Sequence, residues 1–543
     1  MKEHENPPGP RSAFAPFLLL ALVLAVVAFV RIRLLSVPLE RDEGEFAYMG
    51  QLLLKGIPPF THAYTMKLPG VSIVYAFFMS LCGQTAAGIH LGLLVVNATC
   101  ILLVYLLTKR LFDRNAAMFS CSCYAVLSLS NSVYGVFAHA THFVVMFALA
   151  GFILLLRSLE KRQILPLIIS GLCFGLAITM KQHAVMLVIF AVLYFIRRVW
   201  RNPLFDKKLC VAGSLLFLIG TIIPYALILL WMVRNGSFDT FWFWTVLYAN
   251  EYTSNWSLAA GWTSFTYSFG KIARLLLPMW LLAGFGLVLL FTKKRWCHDR
   301  LFVIGFFFFS FLSVCPGLIF REHYFVLLLP AVAIMSGAGV NSAGHFFMSS
   351  ASTRFTPFIP VFLLVAAIAY NFYLEQDNYF FLTPQEVSRA IYTANPFPEA
   401  LQIASYIKND TSPDERIAVL GSEPEIYFYA DRLSATGHIY MFGLMEKQPY
   451  AELMQSQMIR EIEAARPKYV VVVNVNFSWF VQKSSIRSVF YWEESYVRKW
   501  YDLVGVIDII DPKTTLYLWG NEATNYVPVS KCFVTVFKRK KDV

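Results

Sequence analysis

Along residues 13–374 the sequence alternates long apolar runs with short charged clusters, and from 375 onward the apolar stretches shorten to the periods of strands and amphipathic helices. The first run, Ala13 to Val30, follows a polar, Pro-rich start (MKEHENPPGPR). It lacks a small-residue cleavage site and reads as a retained span rather than a signal peptide. A hydrocarbon layer about 30 Å thick needs about 20 apolar residues in helix. Ten further spans are therefore expected near 86–107, 116–135, 141–156, 164–180, 183–196, 209–233, 270–291, 301–320, 323–342 and 356–374. The stretch Ala184 to Ile196 is the shortest, adequate for a span if the arginines after it snorkel.

The tail contains helix-like segments (EALQIASYIKND, EPEIYFYADRL, YAELMQSQMIREIEAA) and strand-like ones (RIAVLG, PKYVVVVNV, YDLVGVIDII, TTLYLWG). The expected fold class is a polytopic α-helical membrane protein of about 11 transmembrane helices with a C-terminal soluble α/β domain. The domains are 1–374, with a first outside loop at 31–85, and 375–543.

With the N-terminus in the cytoplasm, the inside connections hold 16 Lys and Arg and the longer outside connections 10, which agrees with the positive-inside rule. An odd span count then puts 375–543 outside. Outside too lies a second loop, 234–268, whose run Phe238, Phe241, Trp242, Phe243, Trp244, Tyr248, Tyr252, Trp256, Trp262 suits the headgroup layer.

Composition agrees: 57% hydrophobic and 15% charged residues exclude a purely soluble enzyme. The net charge of +12 resides mostly in the short connections, so it speaks for an anionic lipid surface and against nucleic acid. Eight of the nine cysteines fall in the membrane part, which leaves no disulfide framework or zinc site. No G-x-G-x-x-G or P-loop pattern is present.

The chemistry-bearing stretch is RDEGEFAYMGQLLLKGIPPFTHAYTMKLPG, Arg41 to Gly70. Asp42 and Glu43 follow the first span directly, and Glu45, Tyr48 and Leu52 recur at helical spacing. On the residues alone, Asp42 suits the N-cap of a short interfacial helix with Glu45 three residues on, Glu43 a solvated position, and Lys67 a snorkelling interfacial lysine.

The Asp-Glu pair, the Tyr a few residues on, the turn Lys55-Gly56-Ile57-Pro58-Pro59 and Lys67-Leu68-Pro69-Gly70 together resemble the first periplasmic loop of the GT-C membrane glycosyltransferases. The branch resembled is that of protein O-mannosyltransferases and the aminoarabinose transferase of lipid A. Lys181-Gln182, Arg321 before His323-Tyr324, and GSEPEIYFYADR (421–432) are weaker echoes. The resemblance implies a GT-C-like transmembrane catalytic domain and inverting transfer of a sugar from a polyprenyl-phosphate donor to a lipid, glycan or protein acceptor. Transfer would take place on the outer face of a cell-envelope membrane, for a bacterial chain the periplasmic face of the inner membrane. It implies Asp42 as the base and Glu43 as a second acid that positions the acceptor or raises its neighbour's pKa. Lys67 would hold the donor phosphate, assisted by Lys181 and Arg321, with Tyr48, His139, His142, His323 and Tyr324 as substrate contacts.

Two departures stand out. Many relatives carry another acid after the third span, where this chain reads Gly135-Val-Phe-Ala-His139-Ala-Thr-His142, and Lys67 is followed by Leu-Pro rather than Pro-Pro. The histidines suit phosphate, a metal or each other; no metal or cofactor is expected. The alternative function, a transporter or flippase of a lipid-linked glycan, would scatter ionisable residues through the spans. Here the spans are nearly free of charge and the notable acids and bases gather at one face.

Overall fold

The computed structural model describes residues 10–201, 207–254, 256–292, 299–350 and 358–541. The chain forms two compact units. One gathers Met1–Arg33, Leu91–Leu227 and Trp256–Phe381; the other gathers Leu34–His90, Ile228–Asn255 and Leu382–Val543.

The first unit is helical. Among the described residues, six helices of the chain are long and apolar enough to cross a membrane: Phe14–Arg33, Ala86–Leu111, Ala140–Lys161, Gln182–Arg201, Val211–Arg234 and Leu258–Phe291. Gly70–Cys82, Ile164–Met180, Arg300–Leu312 and Ile359–Leu374 are shorter apolar helices. Each of the eleven apolar runs contains a helix, but four depart from the expected bounds: the run at 270–291 belongs to a helix that opens at Leu258, so residues 258–268 of the expected second loop are helical, and three others differ at turns. The run at 116–135 is helical only over Arg114–Leu127, then turns through Tyr134 at φ 57°. The run at 301–320 stops at Leu312, before Pro316, which has no N–H to donate, and Gly317 at φ 72°. That at 323–342 opens with a 3-10 segment, Glu322–Leu327, before the helix Leu329–Ser350.

Close helix contact depends on small residues. A Cβ at Gly171 would lie 2.3 Å from the Phe217 carbonyl oxygen and one at Gly175 2.4 Å from that of Thr221, so this small-x-x-x-small pair lets two helices touch backbone to backbone. Arg31, at the end of the first span, is buried. Its two terminal nitrogens donate to the carbonyls of Gly135 (2.9 Å) and Ser128 (2.8 Å) and close the turn after the helix Arg114–Leu127.

The second unit is built on a five-stranded sheet: β1 (Ile417–Leu420), β2 (Tyr469–Asn474), β3 (Tyr501–Ile509), β4 (Thr515–Trp519) and β5 (Phe533–Arg539), in the order β1-β2-β5-β3-β4. β1 and β2 are parallel, with the helix Ala451–Ala465 between them in sequence, and the other pairs are antiparallel. The valines of β2 are buried on both faces, save the half-buried Val472, as a central strand requires. The first loop folds into this unit as two helices, Arg41–Leu54 and Gly70–Cys82, joined by the segment that carries Lys67. The acidic helix Arg41–Leu54 lies against the short helix Glu425–Ala430; a Cβ at Gly44 would come 2.6 Å from the Glu425 backbone nitrogen. In the second loop Phe241, Trp244 and Tyr248 are buried inside the protein, whereas Trp242 and Trp262 are exposed. Phe241 meets Phe60 edge-on and Trp244 stacks on Tyr64, so part of the aromatic run serves protein packing.

Candidate active site

The acidic helix starts two residues earlier than an Asp42 cap would require. Glu40 is the N-cap, its carboxylate accepting the Glu43 N–H at 2.9 Å while the Glu43 carboxylate accepts the Glu40 N–H at 3.4 Å. This reciprocal box corrects the expectation that Asp42 caps with Glu45, because it satisfies the first-turn donors upstream and leaves Asp42 inside the helix.

Helical spacing then sorts the acids. Asp42 and Glu45, three apart, share a face, and both accept from the Lys67 ammonium, at 2.7 Å and 2.5 Å. The same nitrogen lies 4.7 Å from the centroid of the Phe46 ring and 5.3 Å from that of Tyr440. Asp42 and Lys67 side chains are 20% and 25% exposed and that of Glu45 2%. Glu43 points the other way. It is fully buried and meets His90 Nε2 at 3.0 Å, the opposite ring nitrogen being 2.8 Å from the Leu35 carbonyl. Tyr48 is also fully buried, its hydroxyl accepting the Ser434 N–H at 2.8 Å and its ring tilted against Tyr427.

The electrostatics follow from burial and partners. Burial disfavours the Lys67 charge, but Asp42 and Glu45 outweigh it and hold the ammonium well above its ordinary pKa. Burial pushes the Glu45 carboxyl up, with Lys67 opposing. Glu40 is raised well above the carboxylate range by burial and then by Asp42 and Glu43.

Arg41 anchors the helix start. Its Nε donates to the Ser422 carbonyl (2.7 Å) and Nη2 to Asn395 Oδ1 (2.9 Å) and Glu423 Oε1 (3.2 Å), with the guanidinium over Phe442 and Phe397. Glu423 also accepts from the Ser478 hydroxyl at 2.6 Å.

The helical unit holds the other sequence-derived residues. His139 and His323 stack with centroids 4.1 Å apart, near the Tyr134 ring. His142 is buried in the first turn of the helix Ala140–Lys161. Lys181 Nζ lies 3.8 Å over the Tyr324 ring, which meets His183 edge-on, and Arg321 precedes the Glu322–Leu327 turn.

Residues 66–231 match the model of a family described as dolichyl-phosphate-mannose-protein mannosyltransferase. A search of curated proteins by sequence finds no match. Among solved structures, ArnT from Cupriavidus metallidurans bound to undecaprenyl phosphate is similar at TM-score 0.59 and 14% identity, over 96% of this chain and 97% of that one. The oligosaccharyltransferase AglB from Archaeoglobus fulgidus, in complex with an inhibitory peptide and a dolichol-phosphate, is similar at TM-score 0.51 and 13% identity, over 95% and 75%. The chain has the GT-C fold.

With this fold and its long apolar helices the chain is an integral membrane protein, and the mannosyltransferase family model matches residues 66–231 of it. Sequence reasoning on it did not single out Arg41, Glu423 and Tyr440, whose approach depends on segments more than 350 residues apart. It also left Glu45 as a capping partner, although the i, i+3 spacing to Asp42 was the available signal. In the helical unit of the GT-C protein, Lys271 escaped notice too; its Nζ is 3.6 Å from Glu322 and 4.9 Å from the Tyr134 ring centroid.

Proposed function

We propose that the enzyme transfers a sugar, with inversion, from a polyprenyl-phosphate donor to a lipid, glycan or protein acceptor at the outer face of the membrane. The observation that carries this reading is the Lys67 ammonium 2.7 Å from Asp42 on a partly exposed face: a carboxylate to take a proton beside a cation to hold a phosphate.

In the proposed step Asp42 removes the acceptor's hydroxyl proton as the acceptor oxygen bonds to the anomeric carbon from the face opposite the leaving group. The bond from that carbon to the phosphate oxygen breaks, and both its electrons leave with the polyprenyl phosphate, whose charge Lys67 stabilises. Glu43, bonded to His90 and to the cap, holds the helix start rather than meeting substrate. Lys181 and Arg321 keep a proposed part in holding lipid phosphate, and His139, His142, His323 and Tyr324 in lining that region. The buried Tyr48 is better suited to fixing the acidic helix. Eleven spans, an outside sheet unit and a bacterial inner membrane complete the reading; the polyprenyl-phosphate carrier is supported by the undecaprenyl phosphate of ArnT and the dolichol-phosphate of AglB.

The test compares wild-type and Asp42→Asn protein in detergent with a panel of radiolabelled polyprenyl-phosphate sugars, following donor consumption and release of polyprenyl phosphate. Asp42→Asn removes the proton acceptor at nearly constant volume, so turnover is expected to fall about 100-fold or more. Near-normal turnover refutes the base assignment. No turnover of any donor by well-folded wild type refutes the transferase reading and moves attention to flipping assays in vesicles.

A further inference from the structure

The segment that carries Lys67, residues 55–69, forms neither helix nor strand. A stretch of this length holds one shape only through what its side chains meet, and loops of the kind are usually functional. Two of its aromatic residues meet the second loop. Phe60, in the left-handed region at φ 65°, packs edge-on against Phe241 with centroids 5.2 Å apart, and Tyr64 stacks on Trp244 at 5.8 Å. Trp244 stands on a π-helical turn, Phe243–Tyr248, a form found often at functional sites. From the end of that turn the Tyr248 hydroxyl donates to Glu446 at 2.9 Å, which ties the second loop to the tail.

The tail holds Tyr64 from another side. Its N–H donates to the Gly437 carbonyl at 2.7 Å and its hydroxyl to Glu461 Oε1 at 2.9 Å. The ring comes so close that a Cβ at Gly437 would lie 2.3 Å from it. Glu461 also accepts from the Gln457 amide (2.8 Å), the Thr436 hydroxyl (2.6 Å) and the Gly437 N–H (3.0 Å), so one carboxylate fixes both Tyr64 and the turn that receives it. The His438 ring stands edge-on to Tyr64 and to Trp244. Next in the chain, the buried Thr65 hydroxyl accepts the Lys67 N–H at 3.1 Å and bonds to the Glu45 carboxylate. The immobilised Tyr64 therefore stands three positions before Lys67, with Thr65 passing the constraint on. A lysine is a point charge on a flexible stem, so a backbone already in place spares part of the ordering that phosphate binding otherwise demands.

We infer that Trp244 of the second loop and Glu461 of the tail are positioning residues that hold Tyr64, and through it the Lys67 backbone, in place for the donor phosphate. The inference rests on the transferase reading above. Neither residue touches substrate; each acts through Tyr64. The second loop and the tail thereby set the affinity for the lipid phosphate by fixing the cation that binds it.

The test titrates farnesyl phosphate against the detergent-solubilised full chain and reads both the dissociation constant and the number of sites. Trp244→Leu is expected to raise the constant about fivefold, that of one lost aromatic pair, and Glu461→Gln about threefold, that of a weakened hydrogen bond, with the number of sites unchanged. Trp244→Phe, which keeps a ring against Tyr64, is expected to stay within about twofold of wild type. The donor KM of each variant is expected to move with its dissociation constant. Fewer sites at an unchanged constant is the signature of a merely structural role and overturns the inference, as does a Trp244→Phe protein that binds as weakly as Trp244→Leu. In a Lys67→Ala background Trp244→Leu is expected to weaken binding by less than about twofold, and an equal loss in both backgrounds overturns the route through Lys67. If Trp244→Leu does not fold, or Lys67→Ala binds too weakly to measure, Glu461→Gln decides alone: wild-type affinity in that variant overturns the inference. Wild-type protein that neither binds farnesyl phosphate nor turns over any donor instead overturns the transferase reading, and the inference with it.

Discussion

Replacing Arg41 by methionine tests how the acidic helix is fixed. Arg41 has an 11% exposed side chain, its partner Glu423 is fully buried, and three hydrogen bonds of 2.7, 2.9 and 3.2 Å reach Ser422, Asn395 and Glu423. The Arg41→Met side chain would keep much of the contact with Phe397 and Phe442 but leave Glu423 with the Ser478 hydroxyl as its remaining partner among these contacts. Breaking a buried pair by removing one member costs about 3–5 kcal/mol. In a unit of roughly this size that lowers the midpoint of thermal unfolding by about 10 °C.

The assay is intrinsic tryptophan fluorescence of detergent-purified protein through a thermal ramp, with Glu423→Gln and the double variant completing a cycle. The double variant should be more stable than Arg41→Met alone, because it no longer buries an unpaired charge. Burial pushes the Glu423 carboxyl up and Arg41 opposes this. Without Arg41 the folded state therefore holds the extra proton more readily than the unfolded chain, and the deficit of the single variant should shrink as pH falls from 8 to 5. An Arg41→Met midpoint within about 2 °C of wild type, or a double variant no better than the single, would refute the reasoning.

Lys67→Ala should raise the donor KM more than Lys67→Arg, because only the latter keeps a cation for the phosphate; equal effects in donor titrations would remove Lys67 from that role. Gly44→Ala should cost about 1–3 kcal/mol in the same thermal assay, since its Cβ would lie 2.6 Å from a backbone nitrogen and 2.8 Å from the Cβ of Glu425, neither of which is a flexible end; an unchanged midpoint would mean that the two helices separate freely. Asp508 in β3 accepts from the Tyr526 hydroxyl (2.9 Å) and the Val529 N–H (2.7 Å), and although burial acts to raise its pKa, these bonds and those from Ser530 hold it below the ordinary value. Its contribution is complete above about pH 4 and lost as pH falls through the folded value, so Asp508→Asn should be less stable than wild type at neutral pH, with the gap narrowing in acid; a gap that stays constant down to about pH 2 would refute the shift.

Helix positions were legible because apolar periodicity is a local property. All eleven runs hold helix; the structure moved ends at turns, as at Pro316-Gly317 and Tyr134, and extended the run expected at 270–291 back to Leu258, into the second loop. The valine-rich β2 and the strands β1, β3 and β4 were equally plain, whereas β5 (Phe533–Arg539), half-buried and interleaved with threonine and lysine, declared itself only by pairing between β2 and β3.

The candidate site divides in the same way. The sequence determined that Asp42, Glu43, Glu45 and Lys67 fall in one short loop and that Asp42 shares a helical face with Glu45, since residues three apart must. It did not determine which face would be buried. That depends on Gly44 admitting the backbone at Glu425, on His90 meeting Glu43, and on Arg41 reaching Glu423, all contacts with partners far along the chain or beyond the next helix. Burial, and with it the difference between an acid that supports the helix and one that holds Lys67, belongs to the assembled protein. Desolvation is set by everything packed around a group and not by its neighbours in sequence.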